Sequence, residues 1–202
     1  MCGRYYIDPD TEEEIWKIVR NIDRKKGLIR YGDVFPSQTA AVITGGPVQP
    51  EMLLMKWGFP QYDQKRLLIN ARAESITERK TFRECISQRR CIIPARGFYE
   101  WNGRKEKFRF EREDSPVLWM AGCYDVYQGR ESFVVITTET NSSVSSVHDR
   151  MPLILEKDEI EEWLSKEKEV SGLLHKAPVL LTSSTDYEQD DFVLKIGITF
   201  PV

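Results

Sequence analysis

The length and composition of the 202-residue chain are typical of a globular protein with one domain, which we place at residues 1–202. Charged residues make up 30% and hydrophobic residues 41%, which is ordinary for a water-soluble fold. No apolar stretch is long enough to cross a bilayer, and acidic residues interrupt the N-terminal region, which excludes a secretory signal. We therefore expect a cytoplasmic, monomeric protein that has no membrane partner, with use at the bacterial nucleoid if it acts on DNA.

The first elements in chain order are a short strand and a helix. Residues 3–7 are expected to form the strand. The helix is expected to begin at Asp8-Pro9, because Pro suits the first turn and the acidic residues 12–14 suit the positive end of the helix dipole. Gly27 is expected to end this helix.

Strands dominate the rest of the chain, with two further helices near residues 78–89 and 158–166. Apolar and β-branched runs predict strands at 40–44, 51–57, 91–93, 97–101, 106–111, 117–124, 132–138, 152–155, 178–182 and 193–199. This order of elements predicts the α+β class, with a curved, barrel-like antiparallel sheet and a few flanking helices.

Cys2 is the most informative residue, because removal of Met1 would make it the N-terminus. It would then carry a thiol and a free α-amine on adjacent carbons. The amine can condense with an aldehyde to an imine, and the thiol can close onto the imine as a thiazolidine. Because the second attack is intramolecular, its effective molarity can reach about 10⁵ M or more. A short N-terminal strand that happens to contain a cysteine is the alternative.

The other cysteines are expected to be reduced core residues. Cys85, Cys91 and Cys123 lie in apolar segments and form no CxxC pair. His148 and His175 do not supply zinc-ligand spacing. We expect neither a metal nor a cofactor.

The charge distribution permits binding to nucleic acid. The net charge is −3, but Lys and Arg outnumber Asp and Glu by about two to one between Lys56 and Arg112. This basic segment is either a footprint for phosphates or the solvated face of the helix near 78–89, and the second interpretation is favoured.

Several polar residues interrupt the strand pattern. Asn70, Arg72 and Glu74 alternate after an apolar run, so they could share one face at a strand end. Glu100 lies in an apolar strand, where burial would raise its pKa toward the range useful for proton transfer. His148 follows a Ser-rich loop. Each of these could have a purely structural role, but together they provide the groups of an active site.

These residues lie in motifs that together resemble the SOS-response-associated peptidase (SRAP) family. The resemblance runs from Cys2 almost to the end of the chain. The motifs are Met1-Cys2-Gly3-Arg4, the segments 31–36 and 57–58, the Asn-Ala-Arg segment 69–74, the Phe-Tyr-Glu-Trp segment 97–101 and the His-Asp-Arg segment 147–152.

The resemblance implies a protein that binds single-stranded DNA at abasic sites and crosslinks to the sugar aldehyde through a thiazolidine. Cys2 would be the nucleophile, and Asn70 would hold the reacting amine and sugar. Glu100 would be the acid/base, and His148 would assist the proton transfers near the 3′ phosphate.

The resemblance also implies which residues contact DNA. Arg4 and Arg72 would hold the phosphates that flank the lesion. The remaining expected DNA-binding residues are Pro36, Trp57, Tyr62 and Arg150. Trp57 would act mainly by packing that shapes the site.

Two positions depart from the family pattern. Members commonly have Asn where this chain has Asp33, and an acid fits poorly beside a phosphate. Some members have a Trp pair where this chain has Gln61 and Tyr62, although Tyr62 could stack on a base. These departures concern the preferred DNA structure rather than the chemistry of Cys2.

Two other functions fit the same residues. Cys2, Glu100 and His148 could serve a cysteine peptidase or amidohydrolase, including removal of the residue that precedes Cys2. That function would need an oxyanion hole and a peptide groove. A DNA-binding module without chemistry is the third possibility.

Overall fold

The computed structural model describes residues 2–19, 27–46, 49–61 and 65–185. The strands are β1 Tyr5–Ile7, β2 Gly32–Val34, β3 Thr39–Gly45, β4 Pro50–Trp57, β5 Phe59–Pro60, β6 Leu67–Leu68, β7 Asn70–Arg72, β8 Arg90–Ala95, β9 Gly97–Trp101, β10 Lys107–Glu111, β11 Leu118–Tyr127, β12 Arg130–Glu139, β13 Arg150–Pro152, β14 Ile154–Leu155 and β15 Thr182–Thr185. The α-helices are α1 Pro9–Ile18, α2 Lys80–Gln88, α3 Ile160–Leu164 and α4 Ser171–Leu174.

Five long strands close into a barrel in the order β12-β4-β3-β8-β11, and β11 pairs back with β12. The contact between β12 and β4 is parallel, with Ser132 opposite Lys56 and Phe133 opposite Trp57. The other four contacts are antiparallel. Closure leaves the barrel strands without a free edge, and the predicted α+β fold with a barrel-like sheet is confirmed.

A second sheet lies beside the barrel in the order β15-β10-β9-β1-β2. The register of β1 places Tyr5 opposite Phe98 on one side and opposite Val34 on the other. On the barrel, the short strand β7 pairs in parallel with β12, with Asn70 opposite Val135. Strands β1, β9 and β7 therefore carry the residues around Cys2.

The barrel is filled by apolar side chains. Trp57, Phe133 and Met52 have no exposed surface or almost none, and the rings of Trp57 and Phe133 stack with centroids 6.2 Å apart. The thiols of Cys85, Cys91 and Cys123 are free and buried, so their predicted place in the core is confirmed.

Helix α1 begins where the sequence predicts. Asp8 has an extended backbone and its side chain accepts a hydrogen bond from the Thr11 N–H at 2.8 Å, which caps the helix. The helix ends at Ile18, because Val19 already has an extended backbone. The predicted stop at Gly27 was therefore wrong for α1, and residues 20–26 lie outside the described residues.

The strand predicted at 178–182 was also wrong. The strand lies at Thr182–Thr185 instead. The preceding segment uses its backbone groups in a loop: Asn141 Nδ2 donates to the carbonyls of Pro178 and Val179, and the Leu181 N–H donates to Ser143 Oγ at 3.1 Å. Side chains of another loop therefore satisfy groups that a strand would need. The strand predicted at 193–199 lies outside the described residues.

Some short elements gave no sequence signal. Strand β2 and helix α4 were not predicted, since each has only three or four residues. The helix predicted at 158–166 is a 3₁₀ turn, Lys157–Glu159, followed by α3. None of the helices in the described residues is long and apolar enough to cross a membrane.

Gly122 in β11 tests the packing of the barrel. A Cβ at this position would collide with Ile93 Cδ1 and would lie 2.7 Å from the Val134 carbonyl oxygen. Gly122→Ala should therefore lower the free energy of unfolding by about 1–3 kcal/mol, measured by urea denaturation. Gly103→Ala is the matched control, because a Cβ there meets nothing within 4 Å, and a change of less than about 0.5 kcal/mol is expected. Equal effects of the two substitutions would contradict this packing.

Candidate active site

Cys2 is held between the two sheets. Its side chain has no exposed surface, and its thiol lies 3.8 Å from the Arg4 carbonyl oxygen, to which it donates. Asn70 on β7 donates from Nδ2 to the Cys2 carbonyl oxygen at 3.0 Å. The Tyr99 N–H donates to the Arg4 carbonyl at 2.9 Å, which continues the pairing of β1 with β9 toward Cys2. Two elements thus fix the backbone of the predicted nucleophile.

The environment of Cys2 keeps its thiol protonated. Burial raises the pKa of the thiol, and the negative charge of Glu100 raises it further. A free thiolate is therefore scarce in the chain that keeps Met1. Chemistry at this site has to begin with another group, or with a proton acceptor close to the sulfur.

Asn70 has one amide atom in use and one without a partner. Its Nδ2 donates to Cys2, whereas its buried Oδ1 has no hydrogen-bond partner among the described residues. An unsatisfied buried acceptor destabilises a fold by about 1–3 kcal/mol. This oxygen can accept a hydrogen bond from an amine or a hydroxyl group that enters the site.

Glu100 on β9 is a buried acid beside Cys2. Its side chain is 4% exposed, and burial raises its pKa above the usual 4.5, with the charge of His148 opposing that shift. A carboxyl group whose pKa is raised keeps its proton to a higher pH than a free carboxyl group does, which suits it to donate and accept protons in a reaction. The sequence prediction of a buried, perturbed acid is confirmed in this respect.

His148 lies close to Glu100, with 4.0 Å between its Nε2 and Glu100 Oε2. The Arg150 N–H donates to His148 Nδ1 at 3.0 Å, whereas Asp149 Oδ1 lies 2.8 Å from the same nitrogen. The two contacts need different tautomers. Asp149 is 83% exposed, so water competes for its carboxylate, and we assign the backbone bond. That bond uses Nδ1 as the acceptor, so a ring proton lies on Nε2, which faces Glu100.

Arg4 lies among aromatic rings at the edge of the site. Its guanidinium carbon is 4.5 Å from the centroid of Phe35 and 5.1 Å from that of Trp101, and Tyr99 is 5.9 Å away. Cation–π contacts of this kind orient the guanidinium group. Phe35 and Tyr99 were not predicted as site residues, although they lie in the motif segments 31–36 and 97–101.

The predicted DNA-binding arginines differ in exposure. Arg72 at the end of β7 is exposed. Arg150 is buried and donates to both carboxylate oxygens of Glu74, at 2.8 and 2.9 Å, and to the Thr137 carbonyl at 2.6 Å. These bonds use Nη1 and Nη2 and hold Arg150 against Glu74 and Thr137 beside the His148 loop, and its contact with DNA stays a prediction.

The other expected DNA-binding residues differ in burial and in whether the structure describes them. Trp57 has no exposed surface and its Nε1 donates to the Ile69 carbonyl at 3.0 Å, which fits the expected packing role, and its contact with DNA stays a prediction. Pro36 is half-buried near Phe35. Tyr62 lies outside the described residues.

Part of the basic segment is structural. Arg90 is buried, and its guanidinium donates to backbone carbonyls that include those of Trp163 and Ile86. Arg89 pairs with Glu84 and Asp125, each at 3.1 Å. Arg90 begins β8 and Arg89 caps the end of α2, so neither lies on the solvated helix face that the sequence favoured, and both are bound within the protein.

The site therefore combines a thiol, a raised-pKa acid, an imidazole and an amide with one free acceptor. This set can transfer protons to and from a nucleophile held in one position. Across the residues that the structure describes, no group of three or more His, Cys, Asp and Glu side chains is arranged to hold a metal ion.

Comparison with known proteins gives consistent matches. A sequence model of the family described as "SOS response associated peptidase (SRAP)" matches residues 1–188. The chain is 35% identical over 182 residues to "Abasic site processing protein YoaM" of Bacillus subtilis (strain 168), covering 82% of this chain and 79% of that protein. It is 26% identical over 185 residues to "Abasic site processing protein YedK" of Escherichia coli (strain K12), covering 85% and 82%. A crystal structure from Bacteroides thetaiotaomicron matches with a TM-score of 0.78 and 25% identity over 91% of each chain.

The raised pKa of Glu100 predicts a pH-dependent stability. The folded state favours the protonated carboxyl group, so its contribution is fully present below about pH 4.5 and is lost as the pH rises through the folded pKa. The free energy of unfolding of the wild type, relative to Glu100→Gln, should fall as the pH rises from 4.5 to 8. Urea denaturation at several pH values measures this difference. A difference that does not change with pH would contradict the raised pKa.

Proposed function

Because the chain belongs to the SOS response associated peptidase (SRAP) family, we propose that it captures abasic sites in single-stranded DNA through a thiazolidine formed by Cys2. The relatives named as abasic site processing proteins support this substrate. The proposal requires removal of Met1, which frees the α-amine of Cys2.

The observation that carries the proposal is the position of Asn70 against Cys2. The amide donates to the Cys2 carbonyl oxygen at 3.0 Å, and its second polar atom is buried without a partner among the described residues. An α-amine on Cys2 would be attached to the residue that Asn70 already holds. Asn70 Oδ1 is then the acceptor that orients the amine toward an incoming aldehyde.

The reaction needs no external reagent. The amine of Cys2 adds to C1 of the ring-opened sugar, and loss of one water gives an imine. The thiol then adds across the carbon–nitrogen double bond: sulfur bonds to C1, and the thiol proton is transferred to nitrogen. The product is a thiazolidine, and the adduct has the combined mass of protein and DNA minus one water.

Glu100 and His148 have complementary parts in these proton transfers. The carboxyl group of Glu100 is buried next to Cys2 and has a raised pKa, so it can protonate the departing hydroxyl group and then accept the thiol proton. His148 Nε2 lies 4.0 Å from Glu100 and can supply a proton from the solvent side, since its ring is 26% exposed.

Arg4 and Arg72 are proposed to hold the DNA backbone on either side of the lesion. Arg72 is exposed and follows Asn70 by two residues on β7. Arg4 follows Cys2 by two residues, and aromatic rings surround its guanidinium. Both charges are therefore attached to the strands that carry the reacting groups. Half-buried Pro36 follows Phe35, whose ring contacts Arg4, and is proposed to border the DNA path.

Hydrolysis at the same site is the second candidate, and the family description favours it. Cys2, Glu100 and His148 are the groups that a cysteine amidohydrolase uses, and self-removal of the residue before Cys2 would prepare the crosslinking amine. Lyase activity would follow from an imine that breaks the DNA strand before the ring closes. The raised pKa of the Cys2 thiol disfavours a standing thiolate, so we rank hydrolysis of other proteins below crosslinking.

The test of this function is intact mass spectrometry of the protein mixed with a single-stranded oligonucleotide that carries one abasic site. We expect free protein without Met1 and a heat-stable adduct that has lost one water and forms without borohydride. Cys2→Ser keeps the amine but lacks the thiol, so its adduct should require borohydride. Cys85→Ser, which removes a buried thiol of α2 that contacts Thr81 and Asp125, should form the wild-type adduct.

Two results would oppose the proposal. A protein that has lost Met1 but forms no adduct would exclude crosslinking, and peptide substrates would be tested next. An adduct with Cys2→Ser that is as stable as the wild-type adduct would exclude the thiazolidine while leaving DNA binding intact.

Arg72→Ala tests the proposed phosphate contact. Removal of one phosphate contact should weaken binding to an undamaged single strand and reduce the slope of log K against log salt concentration by roughly 0.7. Arg79→Ala removes another exposed cation, at the start of α2, and serves as the control with little change in slope. Binding is measured by fluorescence anisotropy at several salt concentrations. A wild-type slope for Arg72→Ala would assign Arg72 to a different role.

A further inference from the structure

Asp33 on β2 forms an ion pair with Arg4. Its Oδ2 lies 3.6 Å from Arg4 Nη1, and the two side chains are 35% and 29% exposed. Asp33 also accepts a hydrogen bond from the Tyr99 hydroxyl; burial raises the pKa of that hydroxyl, and the charge and hydrogen bond of Asp33 raise it further. One carboxylate therefore contacts both a proposed phosphate ligand and a ring beside it.

The fold places this carboxylate there. Strand β1 pairs with β2 so that Tyr6 lies opposite Asp33, and Arg4 comes just before β1. The other groups around the guanidinium are the apolar faces of Phe35 and Trp101. These rings orient the cation but do not neutralise it, so Asp33 supplies the negative charge that Arg4 contacts at this edge.

We propose that Asp33 is an internal competitor for the Arg4 guanidinium and lowers the affinity of the protein for the DNA backbone. This inference rests on the proposed function, because it assigns Arg4 to a phosphate. A phosphate that approaches Arg4 meets a carboxylate already in that place. It has to displace the carboxylate or bind beside a like charge.

The competition makes reversible binding weaker without touching the covalent step. The carboxylate freed from Arg4 takes up a cation from solution, which offsets part of the counterion release that accompanies phosphate binding. Undamaged single strands are held only by such reversible contacts, whereas an abasic strand is also held by the bond to Cys2. Asp33 thus favours release of DNA that has no lesion.

Asp33→Asn tests this inference, since the amide keeps the size of the side chain and can still accept from Tyr99. The variant should bind an undamaged single-stranded oligonucleotide about two- to tenfold more tightly than the wild type. Its plot of log K against log salt concentration should be steeper by up to roughly 0.7. Fluorescence anisotropy between about 50 and 200 mM salt measures both quantities.

Two controls separate this effect from a general change in charge. Asp114→Asn removes the same charge from an exposed Asp that pairs with Arg112 at 2.8 Å, and it should leave affinity and slope near those of the wild type. Asp33→Glu restores the charge beside Arg4 and should bind like the wild type. Thermal unfolding of each variant establishes that it is folded.

The outcomes are distinct. If Asp33→Asn binds as Asp114→Asn does, or more weakly than the wild type, the inference is overturned, because Asp33 would then be neutral toward DNA or needed to position Arg4. The proposed function is judged separately, by the adduct of the wild type with abasic DNA. A wild type that forms no adduct rejects crosslinking, while the comparison on undamaged DNA still decides the role of Asp33.

Discussion

The hydrogen bond from Asn70 to the Cys2 carbonyl is the contact on which the site depends. Asn70 lies on a short strand attached in parallel to the barrel, and Cys2 precedes the first strand of the other sheet. This bond therefore fixes the distance between two sheets at the place where the chain begins. Glu100 reaches the same point because its strand pairs with β1. Loss of the bond would separate Cys2, the proposed nucleophile, from the groups proposed to transfer its protons.

Burial is the second constraint, and it acts on thiol and acid in the same direction. The pKa values of Cys2 and Glu100 are both raised, with burial as the largest cause. Both groups therefore keep their protons, and stay neutral, to a higher pH than they would in water. A neutral thiol suits a reaction in which an amine attacks first and the sulfur follows inside one molecule. It suits a standing thiolate nucleophile less well.

Three arginines of the same motifs have different electrostatic environments. Arg150 is bound by both oxygens of Glu74 and supports the loop of His148. Arg72 is exposed at a strand end. Arg4 is intermediate in its exposure and in its pairing. The Asp33 carboxylate at 3.6 Å balances its charge, and aromatic rings fix its orientation. Arginine side chains thus have different roles in this protein. The burial of each side chain and its distance from a carboxylate decide whether it supports the fold or remains available at the surface.

The sequence alone determined the class of fold, the capped start of α1 at Asp8 and the chemistry that Cys2 could perform, because periodicity, capping residues and functional groups are local properties. It also indicated that Glu100 would be buried, since apolar neighbours surround it in one strand. Only the tertiary structure decided that Arg150 is held by Glu74, that Trp57 has no exposed surface and that Asp33 pairs with Arg4. Those contacts join residues far apart in the chain. The register of the paired strands brings them together, and a slip of one residue would turn the side chains of a strand to the opposite face.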